Sequence, residues 1–401
     1  MTTTSRNLRT GHSIWEGRIG GVHHTPLKRD LETDVLVVGA GITGAMIADA
    51  LASEGLKVAM VDRRGPAKGS TSASTALVQY EIDTPLTTLA RKIGKENAVR
   101  AWRRSRLAVD AVAARLKELD VADVVQRGSL YLAGNMLDRD GLEREHTARR
   151  AAGLASRFLD RRALRERFGI ARSAALLGYG NFAIDPRKAT IAMLNAAVEV
   201  GTKIFAPVEI VDVETKRSNV TAIAKSGHRI QARHLVFATG YEIPDQVPRK
   251  GHTIASTWAI ATRPQKRRLW PEQCMIWEAA DPYLYLRTTP DGRVICGGED
   301  EEFSESEKRD ALMTRKTATL TRKLARLFPD LDTTPEFAWT GAFGQSTTGL
   351  PIIGQVPDMP HCWVALGYGG NGITYSRIAA DIICGALTGR ADVDADLYDF
   401  S

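Results

Sequence analysis

A short, valine-rich apolar run over 34–38, opened by Asp34, stops at Gly39-Ala40-Gly41-Ile42-Thr43-Gly44. A valine-rich run of this length predicts a parallel strand buried on both faces. Alanine-rich helical spacing follows to about Ser53, Gly55 ends it, and a second strand, 57–61, stops at Asp62. Alternating apolar and polar positions over 208–232, with turns at 217–219 and 226–227, predict a β-meander. It leads into the apolar strand 235–237 and Ala238-Thr239-Gly240. Pro290-Asp291-Gly292 predicts a hairpin turn pairing 283–288 with 293–297, and 127–134 and 256–264 are strand-like. Helical periodicity covers 100–117, 142–168, 304–327 and 373–387, the last with Ile373, Ile378, Ala379, Ile382 and Ile383 on its apolar positions.

The first unit has the chemistry of a dinucleotide cradle. Gly39 permits the tight turn, Gly41 lets a pyrophosphate approach the backbone, and Gly44 lets the helix sit close to the strand. The helix start offers free N–H groups and the positive end of a dipole, and Asp62, about twenty residues on, accepts from ribose hydroxyls. NAD and FAD share this turn. What separates them is that the sheet resumes at 235–237, about two hundred residues later, after a detour that a nicotinamide dehydrogenase normally lacks. Gly69-Ser70-Thr71-Ser72 is either an ordinary N-cap loop or a second contact to the cofactor's phosphates or ring. A second glycine turn, "GYGGNGITYS" over 367–376, opens the final helix.

Composition narrows the class. The 401 residues are 43% hydrophobic and 25% charged, a soluble globular balance, and no apolar run approaches a membrane span. The first residues lack the apolar core of a secretory signal, and Cys274, Cys296, Cys362 and Cys384 show no metal or CxxC spacing. A reducing, cytoplasmic setting and no metal follow as expectations. The net charge of +7 is concentrated in 100–117 and 142–168, where no aromatic residues interleave the arginines. That favours solvated helical faces over nucleic-acid binding.

The set "GAGITG", "ATG" and "GYGGNGITYS", with Ser13-Ile14-Trp15 ahead of the first strand, resembles the D-amino-acid oxidase and glycine/sarcosine oxidase superfamily of FAD proteins. Within it the chain looks most like the bacterial amine and γ-glutamylputrescine oxidase members. The resemblance implies an α/β fold: a Rossmann-like FAD domain from 31–76, 181–250 and 340–401, and an α+β substrate domain from 77–180 and 251–339 with an antiparallel sheet, after an N-terminal extension 1–30. It implies an FAD surface made by Gly39, Gly41, Ile42, Thr43, Gly44, Asp62, Arg63, Arg64, Gly69, Ser70, Thr71, Ser72, Val208, Ala238, Thr239, Gly240 and Gly341. The C-terminal turn adds Gly367, Gly369, Gly370, Asn371, Gly372, Ile373 and Thr374, with its helix start facing the flavin ring.

On the substrate side, the arginine that pairs with the substrate carboxylate in glycine and D-amino-acid oxidases falls on Phe343, which cannot donate a hydrogen bond. An amine, or an amino acid held differently, fits better. The family's covalent members attach flavin through a cysteine in the stretch 339–354; none occurs here, so FAD is expected to be noncovalent. Arg287 alternates with Tyr285 and Tyr283 on the roof strand and either meets a carboxylate or forms an ion pair. Glu81 and Asp83 either attract a cationic amine or belong to a helix-capping segment, and Gln345 and Ser346 are polar candidates near flavin or substrate. The expected reaction is oxidation of a C–N bond by hydride transfer to flavin N5, with the imine then hydrolysed and oxygen or another acceptor taking the electrons. The alternatives are a flavin dehydrogenase of a hydroxy acid feeding a respiratory acceptor, and an FAD-binding protein that has lost catalysis.

Overall fold

The valine run forms the strand Leu31–Val38, in which Val35, Leu36 and Val37 are at most 1% exposed, as a strand covered on both faces requires. The structure, a computed structural model, describes residues 6–17, 20–249 and 251–400. Leu31–Val38 lies inside an eight-stranded sheet in the order Ile352–Gln355, Cys362–Leu366, Arg229–Phe237, Leu31–Val38, Val58–Val61, Lys203–Phe205. All neighbours are parallel except the first pair. The meander strands Ile210–Thr215 and Val220–Ala224 add antiparallel to Arg229–Phe237.

Register places four chain exits together. Val38 lies opposite Phe237 and Val61, and Phe237 opposite Val364. Gly39, Asp62, Ala238 and Gly367 therefore leave the sheet at one carboxyl edge, where open α/β sheets bind their ligands. The helices Ile42–Ser53, Pro186–Glu199 and Gly372–Leu387 cover one face, the first packing on both others. Their apolar stripes, among them Met46, Ile47, Leu51, Met193, Leu194, Ile378 and Ile382, share one core.

A ten-stranded sheet stands beside it, built on the long antiparallel pair His252–Thr262 and Pro335–Ser346. Val294–Glu301, Leu284–Thr288, Met275–Glu278, Val125–Leu132, Ala174–Ala183 and Leu77–Val78 extend it, with Ser156–Asp160 paired to Ala174–Ala183. The 290–292 hairpin pairs Leu284–Thr288 with 294–298. Helix Met313–Leu327 covers this sheet with Leu320, Leu324 and Leu327.

Two stretches differ from the sequence expectation. Residues 142–168 are not one helix. Helix Arg139–Ala151 ends at Gly153, in the left-handed region at φ +77°, and the strand Ser156–Asp160 precedes a new helix, Arg161–Phe168, whose Asp160 cap accepts from Ala163 N–H at 2.8 Å. The stretch 304–327 divides into Ser306–Ala311 and Met313–Leu327. Within the N-terminal extension, Gly11–His12 pairs with Trp339 and Ala338 at the edge of the ten-stranded sheet. The proposed domain limits fall inside elements at two points, since Pro335–Ser346 and Ala174–Ala183 each run through a limit as single strands of the ten-stranded sheet.

Candidate active site

The first glycine turn is sterically committed. Gly39 has φ +115°, and a Cβ there would lie 2.3 Å from Ala238 O; a Cβ on Gly44 would lie 1.9 Å from Gly39 O. The helix Ile42–Ser53 therefore sits directly on its strand. No side chain caps it at Gly41, and its first N–H, from Ile42, donates to Thr71 Oγ1 at 3.0 Å. Asp62 closes the loop by accepting from the backbone N–H groups of Ala40, Arg64 and Gly65 at 2.7–2.8 Å. Arg63 and Arg64 converge on the Glu242 carboxylate, Arg64 at 2.6 and 2.7 Å.

The second turn meets the first. Gly367 and Gly369 have φ +78° and +53°, and Gly372–Leu387 begins without a side-chain cap. Ser376 donates to Gly372 O at 2.7 Å, so its hydroxyl must accept from Thr43 Oγ1 at 2.8 Å. That hydroxyl pair links the first turns of the two helices whose glycine loops stand more than three hundred residues apart in sequence. Asn371 donates to Glu81 O (2.9 Å) and accepts from Asp83 N–H (3.1 Å), and Thr374 Oγ1 donates to Gln79 O (2.8 Å). The second turn is thereby fastened to 79–83.

One elongated cavity runs from Arg63 and Arg64, along both turns, to the ten-stranded sheet. Of the expected cofactor residues its walls include Gly39, Gly41, Ile42, Thr43, Asp62, Arg63, Arg64, Gly69, Ser70, Thr71, Val208, Ala238, Thr239, Gly240, Gly341, Gly369, Gly370, Gly372 and Ile373. Of the expected substrate residues they include Tyr285 and Phe343. The roof is aromatic: Tyr283 and Tyr285, ring centroids 5.3 Å apart, with Trp277 backed by Tyr131 at 3.8 Å. Tyr285 needs Gly297 beneath it, where a Cβ would lie 2.6 Å from its ring atoms.

The roof also carries a carboxylate that pattern reasoning misses. Between Trp258, opposite Gly298, and Ser256, opposite Glu301, the register shifts by a β-bulge. Gly298 (φ +135°) and Glu299 (φ +61°) take the left-handed conformations that turn the strand. The bulge delivers Asp300 to the cavity wall beside Thr257. Both Asp300 oxygens and the Thr257 hydroxyl are shielded from solvent, and none completes a hydrogen bond of ordinary geometry among the described residues. Burial pushes the Asp300 carboxyl up to about 7, Thr257 opposing and the charge of Asp83 adding to the rise. The signal was present as "GGED", but without the bulge, strand alternation gives no orientation for Asp300. Leu8, Gln79, Thr257 and Tyr241 also line the cavity without having been expected there.

Several expected site residues lie elsewhere. Arg287 does not line the cavity: it is 2% exposed, donates to Thr75 O (2.6 Å) and Ile184 O (2.7 Å), and stacks on Trp15 at 5.3 Å. It shares a strand face with Tyr283 and Tyr285 but lies beyond the cavity's end, and burial lowers its pKa to about 9. Gln345 lies past Phe343, where the wall ends, and Ser346 turns back to Leu350 O at 2.6 Å. Ser72 closes its own loop on Ala67 O and Gly69 O, and Gly44, Gly367, Asn371 and Thr374 shape or fasten the turns without facing the cavity. Glu81 points away, held by Ser129 and Asn181 near Arg149, while Asp83 lines the cavity.

A cavity at the carboxyl edge of a doubly wound sheet, cradled by GxGxxG and roofed by a second sheet, defines a dinucleotide-dependent redox protein. A family model described as FAD dependent oxidoreductase matches residues 34–386, and the chain belongs to that family. It is similar to glycine oxidase of Geobacillus kaustophilus (24% identity over 389 residues, 92% of this chain and 96% of that protein). It is also similar to γ-glutamylputrescine oxidoreductase of Escherichia coli K12 (22% over 376 residues, 91% and 86%). Among solved structures, L-proline dehydrogenase from P. horikoshii superimposes with a TM-score of 0.76 at 18% identity, covering 92% of this chain and 97% of that one. The cofactor is FAD, and the walls suit it. Neither helix start at the cavity is capped by its own N-cap residue, Thr71 taking only the Ile42 N–H, and Ser70 Oγ and Gln79 Nε2 are buried in the cavity wall without a partner. Such orphaned groups at an N-terminal dipole await a polar ligand. Among the described residues no helix is long and apolar enough to cross a membrane, and no cluster of three or more His, Cys, Asp or Glu is placed to hold a metal.

Proposed function

We propose that the protein oxidises the C–N bond of a cationic amine, with noncovalently held FAD as the acceptor of the substrate's α-hydride. The observation that carries the reading is the charge at the roof end. The only basic side chains among the described cavity walls, Arg63 and Arg64, stand at the far end against Glu242, while the roof presents Asp300, unpartnered, under Tyr283, Tyr285 and Trp277. Aromatic faces and a carboxylate select an ammonium group and repel a carboxylate. Phe343, at the position of the family's carboxylate-binding arginine, leaves an apolar wall there.

Ionised Asp300 pairs with the incoming ammonium, and its raised proton affinity suits it to take the ammonium proton, so that the substrate nitrogen holds a free lone pair. The aromatic walls orient the amine and exclude water. Asp62, Ser70, the N–H groups of the first helix beyond Ile42 and the start of Gly372–Leu387 would hold the dinucleotide. The four cysteines are buried and free, and none lines the cavity, which supports noncovalent flavin. The glycine oxidase and γ-glutamylputrescine oxidoreductase relatives act on nitrogen-bearing substrates by their names, which supports the class.

The test is anaerobic bleaching of the purified holoprotein's flavin band against panels of amines, α-amino acids and hydroxy acids. Bleaching by amines at micromolar to millimolar concentration is expected. Bleaching by hydroxy acids alone, or by nothing, overturns the reading. Readmitting oxygen and assaying peroxide then shows whether oxygen or another acceptor reoxidises the flavin.

A further inference from the structure

The roof end of the cavity holds two carboxylates, and the reaction proposed above uses one. We infer that the second, Asp83, makes the site selective for substrates with two cationic nitrogens, a diamine that sets one nitrogen on Asp300 and the other on Asp83. This inference rests on the amine-oxidation reading.

Asp83 enters from the cofactor side, in the segment after the dinucleotide loop; Asp300 enters from the ten-stranded sheet. Asp83 is fixed in place, not mobile on a surface. Its Oδ2 accepts from Gly370 N–H at 2.7 Å, and its own N–H donates to Asn371 Oδ1 at 3.1 Å. By surface area the Asp83 side chain is exposed, and it lines the cavity wall. Neither carboxylate forms an ion pair among the described residues. Lys316, whose charge reaches Asp300, is itself tied to Glu301 Oε1 and Glu299 O, each at 2.7 Å.

The two acids belong to one compartment. The charge of Asp83 raises the proton affinity of Asp300, and Tyr283 is raised by both. Thr257 Oγ1 is buried at the same wall beside Asp300 and Tyr285. Two like charges on one cavity wall, neither in an ion pair, disfavour each other's ionisation. A monoamine neutralises one and leaves the other uncompensated. A diamine neutralises both, whereas an ω-amino acid would bring a third carboxylate against Asp83.

The experiment titrates the holoprotein anaerobically, following the flavin spectrum, with α,ω-diaminoalkanes of three to six carbons and the matching n-alkylamines. In the wild-type protein the best diamine should bind at least about tenfold more tightly than its monoamine, the effect of one added charge-assisted contact. In Asp83→Asn, which keeps an acceptor for Gly370 N–H, the preference should shrink to about twofold. Flavin content reports whether this variant is folded; should it not be, the wild-type chain-length series decides alone. Monoamines binding as tightly as every diamine, or a diamine preference that survives in Asp83→Asn, overturns the inference and leaves amine oxidation standing. Failure of both series, with amino or hydroxy acids bleaching the flavin, overturns amine oxidation and this inference together.

Discussion

Asp300 is the residue on which the chemistry turns, and its environment fixes how it should respond to pH. Desolvation is the largest influence on it; Thr257 lowers its pKa, Asp83 and Asp281 raise it, and Lys316 lowers it. A carboxylate raised to about 7 is protonated below that pH and unavailable as a counter-charge. The kcat/KM for an amine should therefore rise with pH through about 7. Asp300→Asn should remove that ascending limb and lower kcat/KM by about a hundredfold, the lower range for loss of a positioned proton acceptor. The folding linkage has the opposite sign: the folded state holds this proton more tightly than the unfolded chain, so the group costs stability as pH rises from the ordinary carboxylate range to about 7. Asp300→Asn should accordingly raise the apoprotein's thermal midpoint at pH 8 and change it little at pH 4. A flat pH profile in the wild type would remove Asp300 from the mechanism. Arg287 offers the contrast. Arg287→Met strands the carbonyls of Thr75 and Ile184 and should cost about 2–4 kcal/mol of stability. The KM for an amine should stay within about twofold when the variant is assayed below its melting range; a tenfold rise would return Arg287 to the substrate site.

At the scale of elements, the glycine turns were legible because their chemistry is local. A Cβ at Gly39 or Gly44 meets backbone, and that collision is implied by the strand–turn–helix spacing itself. Gly44→Val should drive the helix Ile42–Ser53 off its strand and abolish FAD retention, read as loss of the flavin band on purification. Gly55→Ala, at a helix end with open space around it but φ +80°, should cost about 1 kcal/mol and keep the flavin. The meander, the 290–292 hairpin and the C-terminal helix were legible for the same local reason. What periodicity did not reveal depends on partners distant in sequence. The strand Ser156–Asp160 exists because Ala174–Ala183 offers an edge, and Asp300 reaches the cavity because a bulge adjusts its strand to His252–Thr262. Alternation along one strand put Arg287 on the face of Tyr285 correctly, but not where along that face the cavity stops.

At the scale of the whole molecule, the N-terminal segment acts as a strap between the two sheets. Ala342 N–H donates to Leu8 O at 3.0 Å and Thr340 N–H to Thr10 O at 2.9 Å, while Arg6 N–H donates to Glu242 at 2.8 Å beside the first cradle. Trp15 is the fastening point. It is 6% exposed, its indole N–H donates to Ser74 O at 2.7 Å, Arg187 donates to its carbonyl, and the Arg287 guanidinium lies over its ring. Ser74 and Thr75, which the strap and Arg287 hold, are cavity walls, so fold stability and cofactor binding are coupled through them. Trp15→Ala should lose about 3–5 kcal/mol from packing and also weaken FAD binding. Leu324→Ala is the matched control, because Leu324 is fully buried under the far face of the ten-stranded sheet, in a separate core. Both variants should melt earlier without added cofactor. FAD stabilises by mass action in proportion to the logarithm of its concentration over its dissociation constant. A fixed excess of FAD should therefore raise the midpoint of Leu324→Ala as much as that of the wild type, and raise Trp15→Ala by less. Equal FAD-induced shifts in the two variants would mean that the strap stabilises the fold without shaping the cofactor site.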